Sequence, residues 1–324
     1  MISVDSGRDE THSAAGMALF VLVATKIGWA DVVQQLKAIP IALPVLIGLG
    51  FLRLALQTHS WSTALRAEGI HHSSTELIGI RMAAQSLGYI SAIGLAVSTP
   101  MKLRLLGKSR KQATSATLAD TMVYGFSSAL VGIAGCACAG VAMGHGLRVA
   151  PAVALGAVFT AGLYLIGRRG ALLSPLVRRP SLRCPRWLQW SEQAEIEIRQ
   201  FRVRHQSMVW RMFWFDLGCQ LLLAGEVAAV FWILQIPFHA GTVLALEAAN
   251  RAVKMAAGWM PARIGADETG TAAAFAALGL PSSSGLALAL SRRARDLLVC
   301  VLGFAWLVWK ARNSGENPHG EAPL

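Results

Sequence analysis

The feature that most constrains this chain is a succession of apolar runs long enough to cross a bilayer. Residues 39–57, 77–99, 115–143, 149–167, 212–236 and 286–309 are such runs; 14–29 is weaker, 243–260 carries charges and 268–280 is short. A hydrocarbon core of ~30 Å takes about 20 apolar residues as a helix, so 268–280 cannot cross alone. The pattern predicts an all-α polytopic membrane protein with about seven to nine transmembrane or re-entrant helices. Only 15% of the 324 residues are charged, against about 25% in soluble domains. The runs leave no space for a separate catalytic domain of about 100 residues. The expected organisation is a polar N-terminal segment (1–13), one integral-membrane domain (14–309) and a disordered polar tail (310–324).

The formal charge is +12, from 30 Lys and Arg against 18 Asp and Glu. In a soluble protein this excess would suggest nucleic acid. Here it concentrates between apolar runs, where it orients the chain and attracts anionic headgroups, so no nucleic-acid partner is expected. Residues 100–112 carry Lys102, Arg104, Lys108, Arg110 and Lys111 with no acid, and 168–211 carry ten Arg against three Glu. Two spans separate these stretches, which puts both on one side, and the positive-inside rule makes that side cytoplasmic. The expected location is a bacterial cytoplasmic membrane. Within 168–211, Ile198 and Phe201 share a face, as expected of a short interfacial helix or, equally, a solvated connector; Trp187 and Trp190 suit the headgroup level. The acidic first sixteen residues lack the basic start of a signal peptide.

The five cysteines form no CxxC pair, and Cys136 and Cys138 sit inside an apolar run as small hydrophobes. The histidines converge on no set of three or four ligands. Neither a metal nor a cofactor is expected.

Charges inside the apolar runs carry the functional signal. The stretch 242–260 holds Glu247, Asn250, Arg251 and Lys254; Glu247, Arg251, Lys254 and Gly258 fall within an arc of about 60°. Each charge costs ~2.5–3.5 kcal/mol near the bilayer centre, so this stripe must face protein or a wet cavity. The helix then meets Met260-Pro261-Ala262-Arg263-Ile264-Gly265-Ala266-Asp267-Glu268. Pro and Gly should break it there, and broken backbone at membrane depth survives only in protein or beside water. A similar interruption is expected in the first half, where 77–99 carries Arg81, Gln85, Tyr89 and Gly94 and reaches Ser98-Thr99-Pro100. Broken helices near Pro100 and Pro261, about half a chain apart, suggest a two-half repeat with its site between. Asp120, Glu226 and the cluster Arg292, Arg293 and Arg295 are further intramembrane charges. Singly each suits an interhelical bond, and the i,i+4 spacing of Arg292 and Asp296 suits a local one; as a set they suit a polar pathway.

Three stretches, Leu246-Glu247-Ala-Ala-Asn250-Arg251, Met260 to Glu268 and Leu288-Ala-Leu-Ser-Arg292-Arg-Ala-Arg295-Asp, resemble one family. It is the transmembrane region of lysylphosphatidylglycerol synthase/flippases and their stand-alone relatives, closest to the hopanoid-biosynthesis-associated membrane proteins. Arg81, Leu103 to Gly107 and Ala119-Asp120 resemble its first half more weakly. The family's Asn, Leu-Pro and Gly-Glu there are replaced by Gly88 to Pro100, and the lysyl-transferring soluble domain is lacking, so aminoacylation is not implied.

The resemblance implies a flippase-like translocase moving a lipid or lipid-linked headgroup between leaflets. The partners would be membrane lipids (phospholipid, polyprenyl or hopanoid) and lipid-biosynthesis enzymes. Arg81, Asp120, Glu226, Glu247, Asn250, Arg251, Lys254, Pro261, Gly265, Glu268, Arg292 and Arg295 are the candidate pathway. Its arginines and lysine suit a phosphate and Glu247 and Glu268 an amine or a proton; a hopanoid headgroup is polar but largely uncharged. No Walker sequence is present, so drive by ATP hydrolysis is not expected, nor is enzymatic activity. The alternatives are a non-transporting scaffold for lipid-biosynthesis enzymes, an intramembrane enzyme on isoprenoid or phospholipid substrates, and a small-solute transporter.

Overall fold

A computed structural model describes residues 39–91, 94–107, 110–142, 196–258, 260, 263 and 265–315. The expected spans 14–29 and 149–167, Trp187, Trp190 and Pro261 lie outside these residues. All regular structure among the described residues is helical: α1 (Ile39–Ala67), α2 (Ser74–Ile90), α3 (Gly94–Leu106), α4 (Arg110–Ala142), α5 (196–204), α6 (Gln206–Ile233), α7 (Ala240–Ala256), α8 (Ala266–Ala277) and α9 (Ser282–Gly315). Helices α1, α4 and α6 are long and apolar enough to cross a membrane. At 1.5 Å per residue, α2 and α7 reach only about 25 Å and α3 and α8 less than about 20 Å, so none of these four crosses alone.

Two apolar clusters mark the ends of the bundle. One joins Trp61 and Leu65 of α1, Ile70 of the α1–α2 connection, Leu77 and Ile80 of α2, Leu106 of α3, Ala113 and Ala116 of α4, and Met212 of α6. The other joins Ala42 and Leu46 of α1, Val230 and Phe231 of α6, Val243 and Leu246 of α7, Phe275 of α8, and Leu288 of α9. The start of α2 and the end of α3 therefore lie at one end of the bundle, and the start of α7 and the end of α8 at the other. Each short pair is a re-entrant hairpin, and the two enter from opposite sides.

The tips differ from the sequence expectation in one half. Serine 91, in extended conformation, caps the end of α2, and Pro100 is the seventh residue of α3. The break thus precedes Pro100. A proline inside a helix deletes one backbone hydrogen bond and strains the preceding turn, which α3 tolerates. In the second half α7 ends at Ala256 and α8 starts after Gly265, which has the positive φ of 79° that glycine accommodates.

The hairpins reveal an inverted repeat. The first half runs long helix, hairpin, long helix with 29, 17, 13 and 33 residues; the second runs 28, 17, 12 and 34. Each half's last helix packs on the other half's hairpin across a glycine. A Cβ on Gly303 of α9 would meet the Met82 carbonyl oxygen of α2 at 2.7 Å, and one on Gly135 of α4 would meet the Ala248 Cβ of α7 at 2.8 Å. Gly303→Leu and Gly135→Leu are expected to destabilise the protein by about 1–3 kcal/mol each or more, read as lowered thermal transitions in detergent. Gly48→Leu, whose Cβ meets open space, should leave the transition unchanged.

The aromatic residues give the membrane register. Trp210 and Trp214 near the start of α6, and Trp232 at its end, are exposed. Trp210 and Trp232 are about 33 Å apart along the axis, matching a hydrocarbon core of ~30 Å with interfacial aromatics at both edges.

Two expectations need correction at the first end. Residues 100–106 are helical, and Lys102 is buried with its Nζ 5.5 Å from the Trp61 ring centroid, so it is not a loop charge. Helix α9 continues through Lys310 to Gly315, past the expected start of the tail at 310. It is anchored there by Lys310 Nζ, 3.2 Å from Glu76 and stacked over Trp306. A hydrogen bond from His72 to Glu76, with Lys310 beside it, holds the Glu76 carboxyl below the usual carboxylate range. Gln112, the last residue of the first basic stretch, lines a pocket at this end with Glu68 and Ser115 and with Glu197, Phe201 and Arg204 of α5.

Candidate functional site

Between the two apolar clusters lies a layer of buried charge. Its centre is Arg292 of α9, whose Nε donates to Glu226 of α6 at 2.9 Å and whose Nη2 donates to Glu247 of α7 at 2.6 Å and to the Leu223 carbonyl at 3.1 Å. Arg295 holds the other oxygen of Glu226 and also donates to Asp296 at 2.8 Å. Glu226 has no solvent exposure, and two arginines supply the opposite charge that burial demands. The local Arg292–Asp296 pair expected from spacing does not form. The guanidinium of Arg292 turns inward to two acids from other helices, and the adjacent Arg295 takes Asp296.

Arg251, one turn after Glu247, is 3.9 Å from it and donates to Gln220 of α6 at 2.8 Å and to the Ser128 carbonyl of α4 at 3.3 Å. Asn250 accepts from Thr271 of α8 at 3.0 Å, tying the two legs of the second hairpin. At the tip, Glu268 accepts the Gly265 N–H at 3.0 Å and pairs with Arg293 at 2.5 Å; Arg293 also donates to the Arg263 carbonyl at 3.2 Å. Arg263 lies 5.9 Å over the ring of Tyr89, one residue before the end of α2. The tips of the two hairpins therefore meet.

The first half holds a second charged station. Arg81 of α2 donates to the Gln57 carbonyl of α1 at 2.5 Å and to Asp120 of α4 at 3.4 Å. Arg81 and Glu247 are each the eighth residue of their helices, and Asp120 and Arg292 each the eleventh of theirs. The carbonyls that receive the two arginines, Gln57 and Leu223, lie at equivalent depth in α1 and α6 to within one residue. The inverted repeat thus builds the same three-way station twice, with the charges exchanged between hairpin and long helix.

A crevice of about 20 Å³ opens between the tips, lined by Tyr89, Asn250, Lys254, Asp267, Arg292 and Arg293 among others. Lys254 is exposed and lines it. The volume fits about one water, so the hairpins are closed on one another.

Of the sequence candidates, Glu226, Glu247, Arg251, Arg292 and Arg295 form one network. Asn250, Lys254, Gly265 and Glu268 border the crevice or the tip, and Arg81 and Asp120 make the separate station. Sequence reasoning did not single out Asp216 or Gln220, and it named Lys102 only as a loop charge and Tyr89 only as part of the 77–99 run, without placing either in the pathway. Asp216 is fully buried on α6 and accepts from Ser60 of α1 at 3.3 Å. Its signal was an acid inside an apolar run, close enough to the run's start to pass for an interfacial residue. The described residues contain no group of three or more His, Cys, Asp or Glu able to hold a metal.

The family profile described as lysylphosphatidylglycerol synthase TM region matches residues 12–303. No curated protein and no solved structure is matched. The chain belongs to that family, and is a multi-pass membrane protein of lipid metabolism or transport.

Proposed function

We propose that this member of the family is a flippase-like translocase: it moves a lipid, or a lipid-linked headgroup, between leaflets without catalysing a covalent reaction or hydrolysing ATP. The observation that carries this reading is the pair of re-entrant hairpins entering from opposite sides and meeting at a buried layer of charge. Displacing one hairpin opens the layer toward one leaflet, and displacing the other opens it toward the opposite leaflet, which is the geometry alternating access requires. A headgroup in the layer replaces the partner that an arginine or glutamate loses as a hairpin swings away, while its acyl chains stay in lipid. Arg251 and Lys254 suit a phosphate, and Glu268 an amine. A hopanoid headgroup would use the hydrogen-bonding groups alone. The basic end, with Arg204 and the start of α4, faces the cytoplasm of a bacterial inner membrane.

The test is reconstitution in liposomes containing fluorescent lipids with anionic, zwitterionic or neutral headgroups, followed by dithionite quenching. Wild type should abolish inner-leaflet protection rapidly for one headgroup class. Glu268→Gln keeps an oxygen for the Gly265 N–H but loses the ion pair with Arg293. It should slow that movement about tenfold, roughly 1.4 kcal/mol in the barrier. Rates equal to those of empty liposomes for every lipid would defeat the proposal and favour a scaffold for lipid-biosynthesis enzymes.

A further inference from the structure

The two charged stations match in position but not in how well they are satisfied. In the second half Arg292 spends its donors on two carboxylates and a carbonyl, and Arg295 supports Glu226 from the other side. In the first half Arg81 reaches only one oxygen of Asp120, at 3.4 Å. Among the described residues the Oδ1 atoms of Asp120 and Asp216 and the Nε of Arg81 have no hydrogen-bond partner; in the second half Arg251 Nε and Gln220 Nε2 also lack one, but no oxygen of Glu226 or Glu247 is a buried orphan. Asp120 and Asp216 are 1% and 0% exposed. Asp216 feels the like charge of Asp120 on α4 and the opposite charges of Arg81 on α2 and Lys102 on α3; Ser60 of α1 donates a hydrogen bond to it, and Cys219 is its neighbour on α6.

We propose that Asp216, beside Asp120, is a proton-binding site that controls the α2–α3 hairpin. Both cations of the station ride on the hairpin, Arg81 on one leg and Lys102 on the other. Both acids sit on the long helices α4 and α6. With Asp216 ionised, two carboxylates hold two hairpin cations and the hairpin is latched. A proton taken up on a carboxylate oxygen of Asp216 removes one of those attractions and the repulsion of Asp120, and it supplies an O–H donor where acceptors stand unpartnered. The hairpin is released by one charge pair. A metal cation is disfavoured, because Arg81 and Lys102 already act on Asp216 as neighbouring cations. The second hairpin, held by Arg292 between two acids, is insensitive to the same proton. Coupling of the proton to lipid movement rests on the translocase reading; the proton site itself does not.

The first measurement is infrared difference spectroscopy of the full-length protein in detergent, between acidic and alkaline buffer, on wild type and Asp216→Asn. A protonated-carboxyl band that titrates in wild type and is lost in Asp216→Asn is the expected result. Ser60→Ala, which removes a donor that stabilises the carboxylate, should move the midpoint upward by about 0.5–1 pH unit, and it serves if the asparagine variant does not fold. Identical spectra in wild type and variant, or an unmoved midpoint in Ser60→Ala, would overturn the site; so would a band that responds to sodium at fixed pH. In liposomes a pH gradient should change the lipid-movement rate of wild type several-fold and leave Asp216→Asn unaffected. A titrating band without any lipid movement would defeat the translocase reading while leaving the proton site standing.

Discussion

Arg292→Ala is expected to cost about 3–5 kcal/mol, the range for removing one partner of a buried ion pair. The loss would appear as little monodisperse protein after extraction and a sharply lowered thermal transition in detergent. The cost comes mainly from what remains. Glu226 keeps Arg295, but the nearest cation to Glu247 becomes Arg251 at 3.9 Å, and Glu247 is only 3% exposed. Arg292→Lys should fall between wild type and alanine, because an ammonium carries the charge but cannot fork toward two acids and a carbonyl at once. Neutralising the acids with the arginine, as Arg292→Met with Glu226→Gln and Glu247→Gln, should recover part of the loss: no carboxylate is left without a cation, and Arg295 keeps Asp296, but Arg251 loses its neighbouring acid. The decisive comparison is alanine against the neutral triple variant. If alanine alone changes stability by less than about 0.5 kcal/mol, the network does not hold the fold together.

The second-half site was legible in the sequence for the same reason that Arg292 matters. Charges in a stretch as apolar as 243–260 have to be buried against partners, and Pro261 and Gly265 marked where the backbone would turn. The first half was less legible. Pro100 drew the expected break toward itself, whereas α2 ends at Ile90, capped by Ser91, and proline sits within α3. The repeat left little trace in residue identities because its station exchanges charge, arginine and aspartate in one half against glutamate and arginine in the other. Helix length and position are kept and side-chain chemistry is inverted, so comparing the halves residue by residue sees mismatches. The direction of Arg292, toward α6 and α7 and away from Asp296 one turn along, depends on how three helices pack, which spacing along one helix does not contain. Lys102 was counted with a basic loop because nothing in 100–112 indicates that α3 carries it back against Trp61.

The exchanged polarity makes a double substitution in the first station informative. Arg81→Asp alone places a third carboxylate beside Asp120 and Asp216, in a region where all four native charged groups, Arg81, Lys102, Asp120 and Asp216, are at least nine-tenths buried. It is expected to cost at least about 3–5 kcal/mol. Asp120→Arg alone gathers three cations, with Arg81 and Lys102, around the single acid Asp216, and should cost a similar amount. Combining them gives the first half the polarity the second already has, an acid on the hairpin and an arginine on the last long helix. An arginine at 120 can then reach the Gln57 carbonyl as Arg292 reaches that of Leu223, and an aspartate at 81 stays near Lys102. The combined variant should be more stable than either single one, with a coupling energy of about 2–3 kcal/mol in the double-mutant cycle. Thermal transitions in detergent for the four proteins measure it. Additive losses would show that equal helix positions do not place the side chains alike, and the two stations would then be similar in depth without being related by the repeat.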